Sequence, residues 1–497
     1  MSDPMDSHRT RVVAQLLCTH PAVTEATVTV GADGRESVAW LVPDQSHAPL
    51  LHRAACLEAA GRLGTLAWHE PADDLRVAGV NRGETDFLYR EIFAEHSYFK
   101  HGISLPPGAV VVDAGANIGM FTLDVARRSP GARVIAVEPV EELARAVTVN
   151  AELHGVDATV VPCGLGREES EVEFTYYPHN SVMSGGFARA DEDFDVLRGY
   201  LLTGEGAEDG AQLDRLVTDR MTAVRRRVPT TTLTRIAAEH GLTGIDLLKI
   251  DVEKAEAAVL EGIDAALWPR IDRVVMEVHD IDGRLAAVVG ALSAQGFSVT
   301  HEQDPRLTLT PCHHVYACRP EVTAHDTCPS SGTATSVDHG PNLRMLEREL
   351  RELLTQMDPS AEVPGRFVVV SGLDEVMAES ASPAAPPAPP APAGVPGATG
   401  RTAHLAEIWA GLFGAEAVRP DADFFDLGGD SLTAVRLLAQ VEGRLGEDAL
   451  TPDMVFTDST FGALAAAIEA SAPQRASATA GAGRSAAEER SPDHGDP

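Results

Sequence analysis

Lysine is nearly missing from this chain. It occurs only at Lys100, Lys249 and Lys254, and every other basic side chain is arginine or histidine. Against 40 Lys and Arg stand 74 Asp and Glu, a formal net charge of −34. Phosphate backbones are bound by stripes of Lys and Arg, so this surface repels them and no nucleic-acid partner is expected. Cysteine is sparse as well. Six in 497 residues, with no CxxC spacing, do not make a disulfide framework. No apolar run approaches a membrane span, and "MSDPMDSHRTR" offers no apolar signal-peptide core. The chain reads as soluble and cytoplasmic, with no membrane partner.

What is present suits folded domains. The hydrophobic fraction is 44%, and the length implies roughly two to four domains. Residues 381–400, "ASPAAPPAPPAPAGVPGATG", carry no charge and no periodicity, so 379–400 reads as an extended linker. The linker separates a large body from a small module at 401–472, and the polar tail 473–497 is expected to be disordered. In the body, short apolar runs alternate with helical patterns: "AVVVDAGA" (109–116), "RVIAVEP" (133–139), "ATVVPCGLG" (158–166), "IDLLKIDVE" (245–253), "DRVVMEVHD" (272–280) and "GFSVTHEQ" (296–303). That alternation predicts an α/β domain whose parallel sheet is buried on both faces. The segment "PCHHVYAC" (311–318) alternates like a terminal strand, which turns its adjacent Cys and His to opposite faces and argues against zinc. Between 184 and 229 the pattern breaks into a polar insertion, expected to form a lid or a substrate-facing subdomain. "RRR" at 225–227 reads as a solvated helix end, or else as a dock for a phosphate-bearing arm.

Ligands of open parallel sheets bind beyond the carboxyl ends of the strands. Polar residues recur there: Asp113, Glu138, then Lys249, Asp251 and Glu253, then Glu277 and His279. The turn "DAGANIG" (113–119) places Gly115 and Gly119 where a ligand approaches, and Glu138 is suited to ribose hydroxyls. A dinucleotide turn wants small residues where this one has Asn117 and Met120. A nucleoside without phosphates, S-adenosylmethionine above all, fits better.

Four stretches resemble the FkbM family of methyltransferases: "NRGETDFLYREIFAEHSYFKHGISLPPGAVVVDAGANIGMFTL" (81–123), "FTYYPHNSVMSG" (174–185), "IDLLKIDVEKAEAAVLEGID" (245–264) and "VVMEVHDIDGRL" (274–285). The resemblance covers 65–320. It implies a Rossmann-like class I methyltransferase with a mostly parallel seven-stranded sheet, dependent on S-adenosylmethionine and usually methylating oxygen in polyketide or nonribosomal peptide assembly. Cofactor binding then falls to Asp113, Gly115, Asn117, Gly119, Glu138, Gly164 and Asp251. His279 is the first candidate base, its ordinary pKa lying nearest neutrality. Asp251 is the second, unless it holds the cofactor's amino group, and Glu277 completes the catalytic set. Asp251, Glu253 and Glu277 also suit magnesium, but no metal is assigned. One departure stands out, because the family's Asp-Val-Glu-Gly has Lys254 in place of the glycine.

The module at 401–472 shows apolar residues at helical spacing in "AHLAEIWAGLFG" and "SLTAVRLLAQVEGRLG". It resembles a peptidyl or acyl carrier protein, an all-α four-helix bundle, with "FFDLGGDSL" as its attachment motif. The resemblance implies a 4′-phosphopantetheine arm on Ser431, installed by a phosphopantetheinyl transferase, and a carrier-bound acyl or aminoacyl substrate. Residues 16–44 and 350–376 resemble two parts of the C-terminal lobe of nonribosomal adenylation domains, so 1–50 and 340–378 read as one lobe split by the methyltransferase. The large adenylation core has no counterpart here, so the lobe reads either as a scaffold or as a dock for an adenylation core or other assembly-line enzyme in trans. Two rivals remain: N-methylation of a tethered amine, and an inactive body in which only the carrier works.

Overall fold

The computed structural model describes residues 4–470, except 31–36, 203–216, 219–220, 305–306, 309, 324–339, 360–362, 375, 377–399, 421, 426, 428, 430, 446–448, 452–453 and 456–458. The Pro/Ala linker up to 399 and the tail 473–497 lie outside the described residues, as does part of the 184–229 insertion.

The body is built on seven strands: β1 Val110–Ala114, β2 Arg133–Val137, β3 Asp157–Val161, β4 Leu247–Ile250, β5 Arg273–His279, β6 Ser298–Glu302 and β7 Cys312–Cys318. Their order is β3-β2-β1-β4-β5-β7-β6. Neighbours pair in parallel except at β7, which runs antiparallel to both β5 and β6. This is the expected mostly parallel sheet, and "PCHHVYAC" is its antiparallel strand. Alternation along each strand feeds two cores. Val111, Val134, Leu247, Val275 and Tyr316 enter one apolar cluster, and Val112, Ile135, Leu248, Val274 and Val315 enter the other. Helices Met120–Arg128, Glu141–His154 and Leu233–Glu239 follow the strands. The second stops at Gly155, whose φ of +66° gives the left-handed cap that glycine adopts without strain.

The two ends of the body meet in a second, smaller unit. Strand Val23–Val30 pairs antiparallel with Ser37–Pro43, and Arg366–Val369 joins Ser37–Pro43 in parallel from more than 300 residues away. Helices Pro4–Leu17 and Leu343–Met357 contribute Leu17, Leu346, Leu350 and Leu354 to one core with Leu41 and Phe367.

The triple arginine is not a helix end. It lies within strand Val224–Thr231, paired antiparallel with Ser170–Tyr176. Arg226 grips Glu142 with two hydrogen bonds of 2.5 and 2.7 Å and stacks over Tyr176, while Arg225 pairs with Glu173. Arg226 is thus tied into the fold, whereas Arg225 and Arg227 stay exposed on the strand, and no phosphate dock is assigned to them.

The C-terminal module presents helices Arg401–Phe413, Ser431–Leu445 and Phe461–Ala470 around Trp409, whose ring meets Phe413, Phe424 and Phe461 edge-on. Its apolar core continues into Tyr177, Leu197, Val217 and Met221 of the body. One ion pair fastens the junction, with Arg82 Nη1 3.1 Å from Asp423 Oδ1.

Candidate active site

The first strand ends on a fully buried carboxylate. Asp113 accepts a hydrogen bond from Thr122 at 2.7 Å and lies 3.3 Å from Lys249 Nζ. Register explains the pairing, since Asp113 and Lys249 are opposite each other on β1 and β4. Lys249 also donates to the Gly115 carbonyl at 2.6 Å and lies 3.3 Å from Asp251. Burial works against its charge, but Asp251 and Asp113 outweigh burial and hold the ammonium above its ordinary pKa. Tyr98 completes the knot by donating its hydroxyl to Asp251 at 2.8 Å. Gly115 is needed where β1 and β4 converge. Its φ is +78°, and a Cβ there would lie 1.7 Å from the Asp251 carbonyl oxygen.

Beyond the strand ends opens a cavity of about 1350 Å³. Gly115, Asn117, Glu138 and Gly164 line one side, with Asp251, Glu253, Glu277 and His279 on the floor. Seven of the residues expected at the site therefore face one chamber: Gly115, Asn117, Glu138, Gly164, Asp251, Glu277 and His279. Asp113 and Gly119 stand behind it. Asp113 anchors Lys249, and Gly119 packs its backbone against Val147. Glu138 accepts the backbone N–H groups of Asn117 and Val140, both at 2.9 Å. Burial pushes its carboxyl up to about 7, against the pull of those two donors. A buried carboxylate beside a glycine turn, each oxygen keeping a second lone pair, suits the two hydroxyls of a ribose.

His279 ends β5 with its ring buried. Nδ1 lies 3.0 Å from Glu256 Oε1, and Arg284 holds the other Glu256 oxygen at 2.9 Å. This leaves Nε2 toward the chamber, 3.3 Å from Glu253 and 4.0 Å from Glu277. A carboxylate on one ring nitrogen fixes the tautomer and frees the other to take a proton. Asp251, Glu253 and Glu277 each offer an oxygen within 4.8 Å of the others and can hold a metal ion.

The departure at Lys254 has a backbone cause. Glu253 and Lys254 have φ of +46° and +70°, a conformation in which the glycine expected there is free of strain. Lys254 offsets the cost by pairing with buried Asp193 and, at 3.4 Å, with Glu192. Both acids belong to helix Ala190–Leu202 of the insertion, so the lysine pins that helix beside the floor. Tyr98 and Glu84 were not singled out from the sequence. Glu84 accepts the Ser181 amide at 2.9 Å, and Ser181 in turn accepts from Asn117. The Asn81-x-x-Glu84 cap, in which Asn81 accepts the Glu84 amide, was its local signal.

At the mouth, Phe425 and Gly429 of the C-terminal module line the same cavity. Gly429 is compulsory, because a Cβ would meet the Phe424 carbonyl at 2.5 Å. Two residues later Ser431 opens its helix.

A family model described as the methyltransferase FkbM domain matches residues 113–299, and one described as a phosphopantetheine attachment site matches 403–468. The 31-O-demethyl-FK506 methyltransferase FkbM of Streptomyces tacrolimicus is 44% identical over 248 residues, 49% of this chain and 93% of that protein. The AMB antimetabolite synthetase AmbE of Pseudomonas aeruginosa is 34% identical over 489 residues, 93% of this chain. The chain spans only 22% of that synthetase's length. A solved methyltransferase FkbM from Methylobacillus flagellatus aligns with 44% of this chain and 46% of its own, at 15% identity and a TM-score of 0.29. The sheet order and the two domain matches define an S-adenosylmethionine-dependent methyltransferase joined to a phosphopantetheine carrier domain. The chain belongs to the FkbM methyltransferase family.

Two outcomes are expected. Lys254→Gly relieves the left-handed backbone yet strands Asp193, so it destabilises the body by roughly 3 kcal/mol. Adding Asp193→Asn restores most of that loss in a denaturant double-mutant cycle. Second, Glu138 is ionised above about 7 and neutral below. Affinity for S-adenosylmethionine, measured by calorimetric titration, therefore weakens by up to about tenfold per pH unit below that point. Glu138→Gln binds weakly with no such slope.

Proposed function

We propose that the enzyme O-methylates a hydroxyl on an acyl or aminoacyl group tethered through phosphopantetheine to Ser431, during nonribosomal peptide or polyketide assembly. The observation that carries this reading is the shared chamber, bordered by Glu138 and Gly115 at one end and by Phe425 and Gly429 of the carrier at the other. An arm on the first residue of helix Ser431–Leu445 starts two residues from that border. The Streptomyces relative is named for the 31-O position of demethyl-FK506, which favours oxygen as the acceptor atom. The acidic floor also suits a protonated amine, and this keeps N-methylation of a tethered aminoacyl group as the second reading.

Bound S-adenosylmethionine supplies an electrophilic methyl group. Glu138 would accept hydrogen bonds from its ribose hydroxyls, while the turn at Gly115 and Asn117 and the wall at Gly164 would shape its berth. Most of the catalysis is then positioning and exclusion of water. As the acceptor oxygen takes the methyl, its proton passes to His279 Nε2. Glu256 keeps the Nδ1 side of the ring engaged, and Arg284 keeps Glu256 in place. The nonribosomal setting also draws on the synthetase relative. The small sheet shared by the two ends of the body acts as a remnant adenylation lobe, on which an adenylation core docks in trans.

Intact-mass measurement of the chain, loaded by a phosphopantetheinyl transferase with a panel of hydroxyacyl and aminoacyl groups, tests the proposal. A methyl increment is expected on the hydroxyacyl forms with S-adenosylmethionine present and is absent from Ser431→Ala. An increment only on amines would transfer the reading to nitrogen. His279→Ala is expected to lower single-turnover transfer by about 10²–10⁴-fold with cofactor affinity nearly unchanged; unchanged turnover removes His279 as the base.

A further inference from the structure

Tyr177 is 1% exposed and faces two ways. Its ring stands in the apolar cluster that includes the carrier core, against which Phe425 of the carrier also packs. Its hydroxyl donates to Asp193 Oδ2 at 2.9 Å. Asp193 is equally buried, and its other oxygen pairs with the Lys254 ammonium. One carboxylate therefore has both oxygens engaged, one by a residue of the carrier's seat and one by a residue of the cavity floor. Shielded from water, such hydrogen bonds are strengthened and hold their partners in place.

The chain of contacts continues to His279. The Lys254 amide donates to Glu256 Oε1 at 3.0 Å, and the same oxygen lies 3.0 Å from His279 Nδ1. Arg284 Nη1 donates to the Lys254 carbonyl at 3.0 Å and to Glu256 Oε2 at 2.9 Å. Lys254 is thus braced at its side chain, its N–H and its carbonyl, and the carboxylate that orients the His279 ring is held by its backbone. A separate contact supports the link. At Gly185, in the segment that follows Tyr177, a Cβ would lie 2.8 Å from the Glu253 carbonyl oxygen, so that segment rests directly on the floor. The glycine that the family pattern has at 254 carries no side chain to reach Asp193. The link therefore belongs to this chain, in which the enzyme and a carrier are fused.

We infer that Tyr177 and Asp193 are positioning residues through which the seated carrier orients His279. Contiguous packing and hydrogen bonds of this kind carry coupling between sites, and small misplacements of a reacting group cost large factors in rate. Transfer is then fastest while the chain's own carrier is docked. The effect on turnover rests on the methyl-transfer reading, whereas the orientation of the ring stands on the contacts alone.

The test uses the full chain carrying Ser431→Ala, given the hydroxyacyl group as a free pantetheine thioester, so that the carrier seats but delivers nothing. Tyr177→Phe removes one hydroxyl, and Phe425→Ala loosens the carrier's seat. Each is expected to slow single-turnover transfer about tenfold. The double variant is expected to be no slower than either, because both act through one set of contacts. Phe425 also lines the chamber, and a loss through direct contact with substrate would instead persist in the Tyr177→Phe background. The second readout is the ring-nitrogen NMR signal of His279 in histidine-labelled chain, assigned by its loss in His279→Gln. It is expected to shift in Tyr177→Phe, in Phe425→Ala and in Lys254→Gly/Asp193→Asn, where the link is cut. Retained S-adenosylmethionine binding shows that each variant is folded. Additive losses in rate overturn the inference, as does a His279 signal that Tyr177→Phe and Phe425→Ala leave in place. A signal that shifts as expected in a chain that transfers no methyl group counts against the proposed reaction alone.

Discussion

The site hangs on one buried ammonium. Lys249 ties the carboxylate that ends β1, the one that follows β4 and the carbonyl of the intervening glycine turn into a single knot. Three lysines serve the whole chain, and this one sits where no arginine would do the same work. An ammonium is compact enough to fit between Asp113 and Asp251 under the rings of Tyr98 and Phe121, whereas a planar guanidinium needs a wider slot. Removing it would leave the fully buried Asp113 carboxylate without a cation, the situation in which breaking a buried ion pair costs about 3–5 kcal/mol. The convergence of the strand ends, and with it the cavity floor, depends on that balance.

Much of this was legible locally. Strands buried on both faces read as continuous apolar runs, and the acids at their carboxyl ends fall at fixed places in those runs. Asp113, Glu138, Asp251, Glu277 and His279 were visible for that reason. The triple arginine was misread because its partner strand, Ser170–Tyr176, lies about fifty residues earlier and pairing at that distance leaves no local periodicity. Tyr98 was missed for the same reason, since its bond to Asp251 crosses 153 positions. Gly115 was noticed with a different purpose in view. Its missing side chain makes room for the Asp251 carbonyl, and only the crossing of β1 and β4 shows it.

Lys254 shows how a departure from a family pattern becomes intelligible. A glycine there satisfies φ of +70° without cost, whereas a lysine costs about 1–2 kcal/mol of backbone strain. The substitution is tolerated because the same side chain reaches Asp193 and fixes the insertion helix. Strain at the floor is thus exchanged for order in the insertion helix, beside the same chamber.

The carrier is held differently. Arg82 pairs with Asp423 across the junction, the two side chains being 19% and 12% exposed. The apolar contacts with Tyr177, just after strand Ser170–Tyr176, and with Leu197, Val217 and Met221 of the insertion add to it. A covalent linker also raises the effective concentration of one domain at the other. The buried knot at Lys249 therefore fixes the strand ends under the cavity, whereas the contact at Arg82 joins the carrier module to the body.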